Sequence, residues 1–320
     1  MLLEAVQKEA ERMTWFIAKV VFTYYLVAAM IFLNAYSFRG ESAAPVFLSI
    51  FLLIPIFIWH RSWRSQTEFS RRVDGGSIRK TLLAVIALFV LAMSVRLPSV
   101  LLLGMPYEKT PMIYLVILTI VVIEKTDISA FGFRTKNFGK SLLHGLVFFA
   151  ILGGLALLLS YLLTYAFTGQ IPIQYFDPLP VISAMPFMTF CVGISEEGLF
   201  RGYVQTHLEK FHVSGAIVFQ AVLFGMWHFV WNLSPLDYIG MARYIGFTFF
   251  IGLIFGYFYS KSRNLVPLIL AHGLWNSVPE GIVTSVAALE PSYQMLIWIL
   301  PYLMSATLTF FFVKYMVREI

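Results

Sequence analysis

Residues 142–166 read LLHGLVFFAILGGLALLLSYLLTYA, a stretch without Asp, Glu, Lys or Arg. A helix rising 1.5 Å per residue needs about 20 apolar residues to cross a hydrocarbon layer of ~30 Å, so this run is long enough to span a membrane. Further apolar runs lie at 14–36, 44–60, 81–103, 111–124, 181–208, 214–231, 243–260, 265–285 and 293–316. Those at 44–60 and 111–124 are short, which sets the expected number of helices at about eight to ten. Across the 320 residues, 59% are hydrophobic and 12% charged. Soluble domains carry about a quarter of charged residues, so water is not the main solvent of this chain. In lipid each backbone group must pair within its own segment, and the expected fold is therefore all-α, a polytopic transmembrane helical bundle.

The formal charge of +6 does not point to nucleic acid, because the basic residues sit beside apolar segment ends. Arg61, Arg64, Arg71, Arg72, Arg79 and Lys80 form one group. Lys125, Arg134, Lys136 and Lys140 form a second, Lys261 with Arg263 a third, and Lys314 with Arg318 close the chain. The loop from Thr168 to Pro180 has no Lys or Arg. This alternation places the basic loops and both termini in the cytoplasm and agrees with an even helix count. The single Cys191 excludes an intrachain disulfide and a thiolate metal cluster. Met1 to Met13 is amphipathic and mixed in charge, and no small-residue cleavage site follows the next apolar run. Internal repeats and low-complexity linkers are lacking, which reads as one integral unit.

Against this apolar background stands Glu196-Glu197-Gly198-Leu199-Phe200-Arg201. A carboxylate at bilayer depth costs at least ~2.5–3.5 kcal/mol, and intramembrane ionisable residues are functional by default. His228 and His272 interrupt two further apolar runs. Glu196 precedes His212 by sixteen residues and His228 follows it by sixteen. If the chain turns near Phe211–Ser214, an antiparallel helix pair places Glu196 and His228 at similar depth, about 24 Å along the helix from the turn. His272 and Asn276 share one helical face and start about 8–12 residues inside the Lys261–Arg263 pair, so they reach a comparable level. Four polar side chains from three helices then converge in the cytoplasmic half of the membrane.

Chemistry suggests roles for them. Glu196 is the candidate general base acting on water. Glu197 and Arg201, at i and i+4, form an internal ion pair, and Arg201 is also suited to a bidentate grip on a substrate carboxylate. His228 would orient the water or protonate a leaving amine. His272 and Asn276 offer N–H donors for a developing oxyanion. Hydrolysis of a peptide bond uses such parts.

Blander readings stand beside these. Glu196 could serve only a buried ion pair with Arg201, and a lone buried histidine usually satisfies a neighbour. Asn276 could merely bridge helices, and the glycines of the later helices read as packing positions. Phe224 and Trp227 read as core or lipid-facing aromatics. His207 and His212 read as solvated at the cytoplasmic turn, and His60 and His144 as interfacial. Arg96, just before Pro98, either snorkels or marks a break into two helices. Among other functions, two histidines and a glutamate suit a zinc protease, although the HExxH spacing is absent. A transporter with an intramembrane proton relay is another alternative, yet residues 1–140 show no polar counterpart to the second half. A scaffold or immunity protein keeping the fold without hydrolysis is the third.

Three motifs carry a family resemblance. Ser195 to Gly202 resembles the EExxxR motif of the CAAX protease and bacteriocin-processing (CPBP) family. Phe224-Gly225-Met226-Trp227-His228 looks like its FxxxH motif, and His272-Gly273-Leu274-Trp275-Asn276 like its HxxxN motif. The resemblance covers about residues 140–285 and implies an intramembrane glutamic protease of the type II CAAX prenyl endopeptidase class. It implies Glu196 as activator of water, His228 as its assistant, and His272 with Asn276 as the oxyanion hole, without metal or cofactor. It also implies membrane lipid and a prenylated or other membrane-associated peptide as partners, with a C-terminal tripeptide removed after a prenylated cysteine. The chain divides, on this view, into transmembrane helices of unassigned role at 1–140 and the protease core at 141–320.

Overall fold

The computed structural model describes residues 76–104, 108–284 and 291–318, with single positions at 16, 19 and 23. The candidate spans at 14–36 (apart from those positions) and 44–60, with His60 and Arg61 to Arg72, lie outside the described residues. So does the N-terminus whose side of the membrane was read from charge.

Among the described residues the chain forms eight helices. They are α1 (Ile78–Leu103), α2 (Lys109–Ile123), α3 (Phe138–Thr168), α4 (Pro178–Glu209), α5 (Val213–Trp227), α6 (Tyr238–Ser262), α7 (Val266–Ser277) and α8 (Pro291–Met316). Six are long and apolar enough to cross a membrane, α5 together with the 3₁₀ turn that carries it on to Asn232, and α2 and α7 are the shorter ones. The fold is an all-α polytopic bundle, and the chain is an integral multi-pass membrane protein. Helix starts follow local chemistry. The Asp177 carboxylate accepts from the Leu179 N–H at 3.0 Å, with Pro178 opening α4, and Asp237 accepts from Ile239 and Gly240 at the start of α6.

Three elements depart from the sequence reading. The apolar run 265–285 is not one span: α7 ends at Ser277, and a 3₁₀ turn, Val278–Gly281, leads into a strand. Pro279, in that turn, has no N–H to extend a helical ladder. The strand, β2 (Ile282–Thr284), pairs antiparallel with β1 (Ile173–Phe176), which lies in the loop without Lys or Arg. Finally, α1 does not break at Pro98 but continues to Leu103, and Arg96 is buried within it. The shortness of α2 has a clear cause. Every residue from Lys109 to Ile117 is buried, so this apolar helix is surrounded by protein and has no lipid layer to match in length.

Two apolar clusters organise the bundle. One joins α1, α2, α4 and α5 through Leu88, Ala92, Met112, Phe200, Phe224 and Trp227. The other joins α3, α6, α7 and α8 through Phe148, Leu152, Phe255, Phe258, Leu268 and Val313. The two meet where α4 crosses α7. A Cβ at Gly193 would stand 2.9 Å from the Ile269 carbonyl oxygen, and one at Gly273 would stand 2.9 Å from the Thr189 Cα. Only glycine at both positions permits so close an approach of backbones.

α4 is also irregular. Short α-helix Ile194–Glu197 lies between two π-helical stretches, Phe187–Gly193 and Gly198–Gln205. Such widened turns recur at functional sites. Here every residue from Ser195 to Gln205 is buried, so α4 passes through the interior with its charged residues inside.

Candidate functional site

α4 holds Glu196 and Glu197 in the bundle interior, 2% and 0% exposed. Being consecutive, the two carboxylates point to different neighbours. Glu197 Oε1 accepts from Arg201 Nη1 at 3.2 Å, one turn along α4, and from His272 Nδ1 on α7 at 2.7 Å. The Arg201 guanidinium lies 4.3 Å from the Phe224 ring centre and 5.1 Å from that of Phe255, filling the seam between the two clusters.

Glu196 is held asymmetrically. Its Oε1 accepts from the Trp227 indole N–H at 2.9 Å and is bonded to the Lys109 ammonium. Its Oε2 has no hydrogen-bond donor among the described residues. That oxygen faces His272 Nε2 at 3.6 Å and His228 Nε2 at 4.0 Å.

His228 caps the C-terminus of α5, where its ring packs against Phe224 and Tyr244. Its Nδ1 lies 2.8 Å from the Phe224 carbonyl oxygen. A carbonyl only accepts, so Nδ1 carries the proton and Nε2 presents its lone pair when the ring is neutral. The same logic applies to His272, whose Nδ1–H donates to the Glu197 carboxylate. Its Nε2 is then a donor only in the imidazolium form. Asn276, one turn beyond His272, shares with His228 and His272 the wall of a cavity of about 70 Å³. Tyr244, Phe247 and Trp275 also line it. A water needs ~10–15 Å³ by this measure, so the cavity has room for water and a small part of a substrate.

Glu196, Glu197, Arg201, His228 and His272 thus form one contact network, with Asn276 on the adjoining cavity wall. Sequence reading missed four neighbours. Arg96, Glu108 and Lys109 precede residue 140, a stretch whose sequence shows no polar counterpart to the second half, and Trp227 reads from sequence as a core or lipid-facing aromatic. Arg96 neither snorkels nor breaks α1. Its Nε donates to the Trp227 carbonyl at 2.9 Å, its guanidinium stacks 4.4 Å from the Trp227 ring centre, and its Nη1 pairs with Glu108. Glu108 also lies 3.2 Å from Lys109. All of these are at most 2% exposed. The usable signal was charge balance: buried ions occur in pairs, so Arg96 in an apolar run called for a carboxylate, and Glu108 is twelve residues on.

The remaining histidines differ from expectation in one case. His207 is not solvated: its Nε2 lies 3.0 and 3.1 Å from the Glu124 carboxylate, which also accepts from the Tyr203 hydroxyl at 2.7 Å. His212 is exposed and caps α5, accepting from the Gly215 N–H at 2.8 Å. Half-buried His144 packs near Phe312. Among the described residues no three His, Cys, Asp or Glu side chains are grouped to hold a metal ion.

Residues 178–278 match the family model described as Type II CAAX prenyl endopeptidase Rce1-like. No curated protein and no solved structure matches the chain. The matched stretch runs from the start of α4 past the end of α7 and so contains both glutamates, both histidines and Asn276. From Pro178 to Val278 the chain is therefore similar to the type II CAAX prenyl endopeptidases of the Rce1-like family.

Proposed function

We propose that this protein is an intramembrane glutamic endopeptidase that hydrolyses a peptide bond with a water activated by Glu196. The observation that carries the reading is the unequal use of the Glu196 carboxylate: Oε1 is anchored, while Oε2 is open towards two imidazole nitrogens beside a cavity. A water between Oε2, His228 and His272 would give its proton to Oε2 as its oxygen attacks the scissile carbonyl carbon. His228 Nε2, with its lone pair free, would carry that proton on to the leaving nitrogen as the C–N bond breaks. His272, as the imidazolium supported by Glu197, and the Asn276 amide would donate to the oxyanion. No step in this scheme needs a metal or a cofactor.

The family match supports a CAAX-type substrate: a membrane-associated peptide whose C-terminal tripeptide is removed after a prenylated cysteine. The peptide would enter from the cytoplasm, the side of the basic loops and of both termini, and its lipid sideways from the bilayer. Within the division at residue 140, the described helices before it would brace the site made by those after it.

The test is cleavage of a peptide panel, with and without a prenyl group, by the purified protein in liposomes. Cleavage of the prenylated peptide that survives chelators and falls by at least ~10²–10⁴-fold in Glu196→Gln is the expected result. Full activity of Glu196→Gln would remove Glu196 as the base, and chelator-sensitive cleavage would restore the zinc scheme. A folded wild-type protein that cleaves nothing in the panel but carries protons across the vesicle membrane would favour a relay instead.

A further inference from the structure

We propose that Lys109, from outside the family-matched stretch, is a positioning residue that determines which oxygen of Glu196 acts on water. The inference rests on the glutamic-protease reading.

A carboxylate has two chemically equal oxygens, and rotation about its last bond exchanges them. Two donors on one oxygen remove that equality. Trp227 contributes a neutral N–H and Lys109 a charged one, and charge-assisted bonds are roughly twice as strong as neutral ones. With both on Oε1, the lone pairs of Oε2 are left to face His228 and His272.

Lys109 can hold this position because it belongs to a closed ring of contacts. Its ammonium touches Glu196 and Glu108, and lies 4.9 Å from the Trp227 ring centre. Glu108 is bound by Arg96, whose Nε is tied to the Trp227 carbonyl, and the Trp227 indole returns to Glu196. The ring draws on α1, the start of α2, α4 and α5. A flexible four-carbon lysine stem carries much rotamer entropy when free. Enclosed this way, with its side chain 3% exposed, it has one position for its charge. The charges also close: Arg96 and Lys109 balance Glu108 and Glu196.

The experiment compares wild type, Lys109→Met, Lys109→Arg and the charge-balanced double variant Glu108→Gln/Lys109→Met, with Glu196→Gln as reference. Two measurements are made: prenyl-peptide cleavage in liposomes, and modification of Glu196 by dicyclohexylcarbodiimide followed by mass spectrometry. Lys109→Met is expected to lower kcat about 100-fold with KM within threefold, Lys109→Arg to recover kcat to within about tenfold of wild type, and the double variant to show the loss of Lys109→Met. A merely structural lysine would instead lower the amount of folded protein and leave the kcat of the folded fraction intact. If Lys109→Met does not fold, the double variant, which leaves one cation (Arg96) and one carboxylate (Glu196) in the ring, carries the kcat comparison. Carbodiimide attacks the protonated form of a carboxyl group, so loss of the ammonium is expected to speed Glu196 labelling at least tenfold. A kcat within threefold of wild type in the folded Lys109 variants overturns the proposal. If wild type itself cleaves nothing, the functional reading fails, and the labelling rate decides alone: unchanged labelling in Lys109→Met then overturns the role of Lys109.

Discussion

The two halves of the bundle are built from different materials. The half formed by α1, α2, α4 and α5 buries Arg96, Glu108, Lys109, Glu196, Glu197 and Arg201 along with its apolar cluster. The half formed by α3, α6, α7 and α8 buries chiefly rings and aliphatic groups, among them Phe148, Phe255 and Phe258 packed edge to face. To the site it gives one imidazole, His272, and most of the cavity wall: Tyr244, Phe247, Trp275 and Asn276. The ionic half holds the Glu196 carboxylate in one orientation, whereas the aromatic half shapes the adjoining cavity. Such a division suits a reaction in lipid. Charges can be oriented at bilayer depth only if their partners are buried with them, and a cavity for an apolar substrate is best walled by side chains that ask for no partner.

This contrast can be broken from either side. The largest effect is expected from Glu108→Gln, which leaves Arg96 short of its carboxylate. Breaking a buried pair typically costs ~3–5 kcal/mol, and replacing both partners is far milder, so Arg96→Met/Glu108→Gln should regain most of the loss. Unfolding in mixed micelles measures this, and a double variant no more stable than the single one would show that the charges are not coupled. Next comes His272→Ala, the one ionic contribution of the aromatic half. If His272 acts as proposed, its loss removes an oxyanion donor, which costs ~10²–10³ in kcat, about 2.7–4 kcal/mol. Peptide turnover in liposomes measures it, and a change confined to KM would place His272 in substrate binding only. Gly273→Ala should come third. The added methyl meets Thr189 and forces the halves apart, at a typical overpacking cost of ~1–3 kcal/mol. Lowered thermal stability together with lowered kcat is the expected pair of results. The smallest effect is expected from Phe247→Leu on the cavity wall: about a three- to tenfold rise in KM at unchanged kcat, since trimming an apolar pocket removes ~1–3 kcal/mol at most. A large fall in kcat there would mean that the aromatic half orients the reacting atoms as well.

Much of the site was legible because its residues obey local spacing rules. Glu197 and Arg201 lie one turn apart on α4, and the Glu196–His228 relation follows from two helices and a short turn. The ionic ring was not legible, for a physical reason. Lys109 and Glu196 are 87 residues apart, and Arg96 and Trp227 are 131 apart. A contact between helices brought together only by tertiary packing leaves no period in the chain. The π-helical turns of α4 and the β1–β2 pairing are similarly silent, since both depend on what surrounds the segment.

What the amino-acid order determined was solvent and content: helices long and apolar enough for lipid, few charges, and the ionisable residues that lipid would not tolerate unpaired. Those follow from transfer free energies, which each segment feels by itself. Which oxygen of Glu196 faces the histidines, which ring nitrogen is committed to a carboxylate, and which cation pairs with Glu196 were decided by tertiary structure. Hydrogen bonds and ion pairs depend steeply on distance and direction, and no segment fixes its own position relative to another.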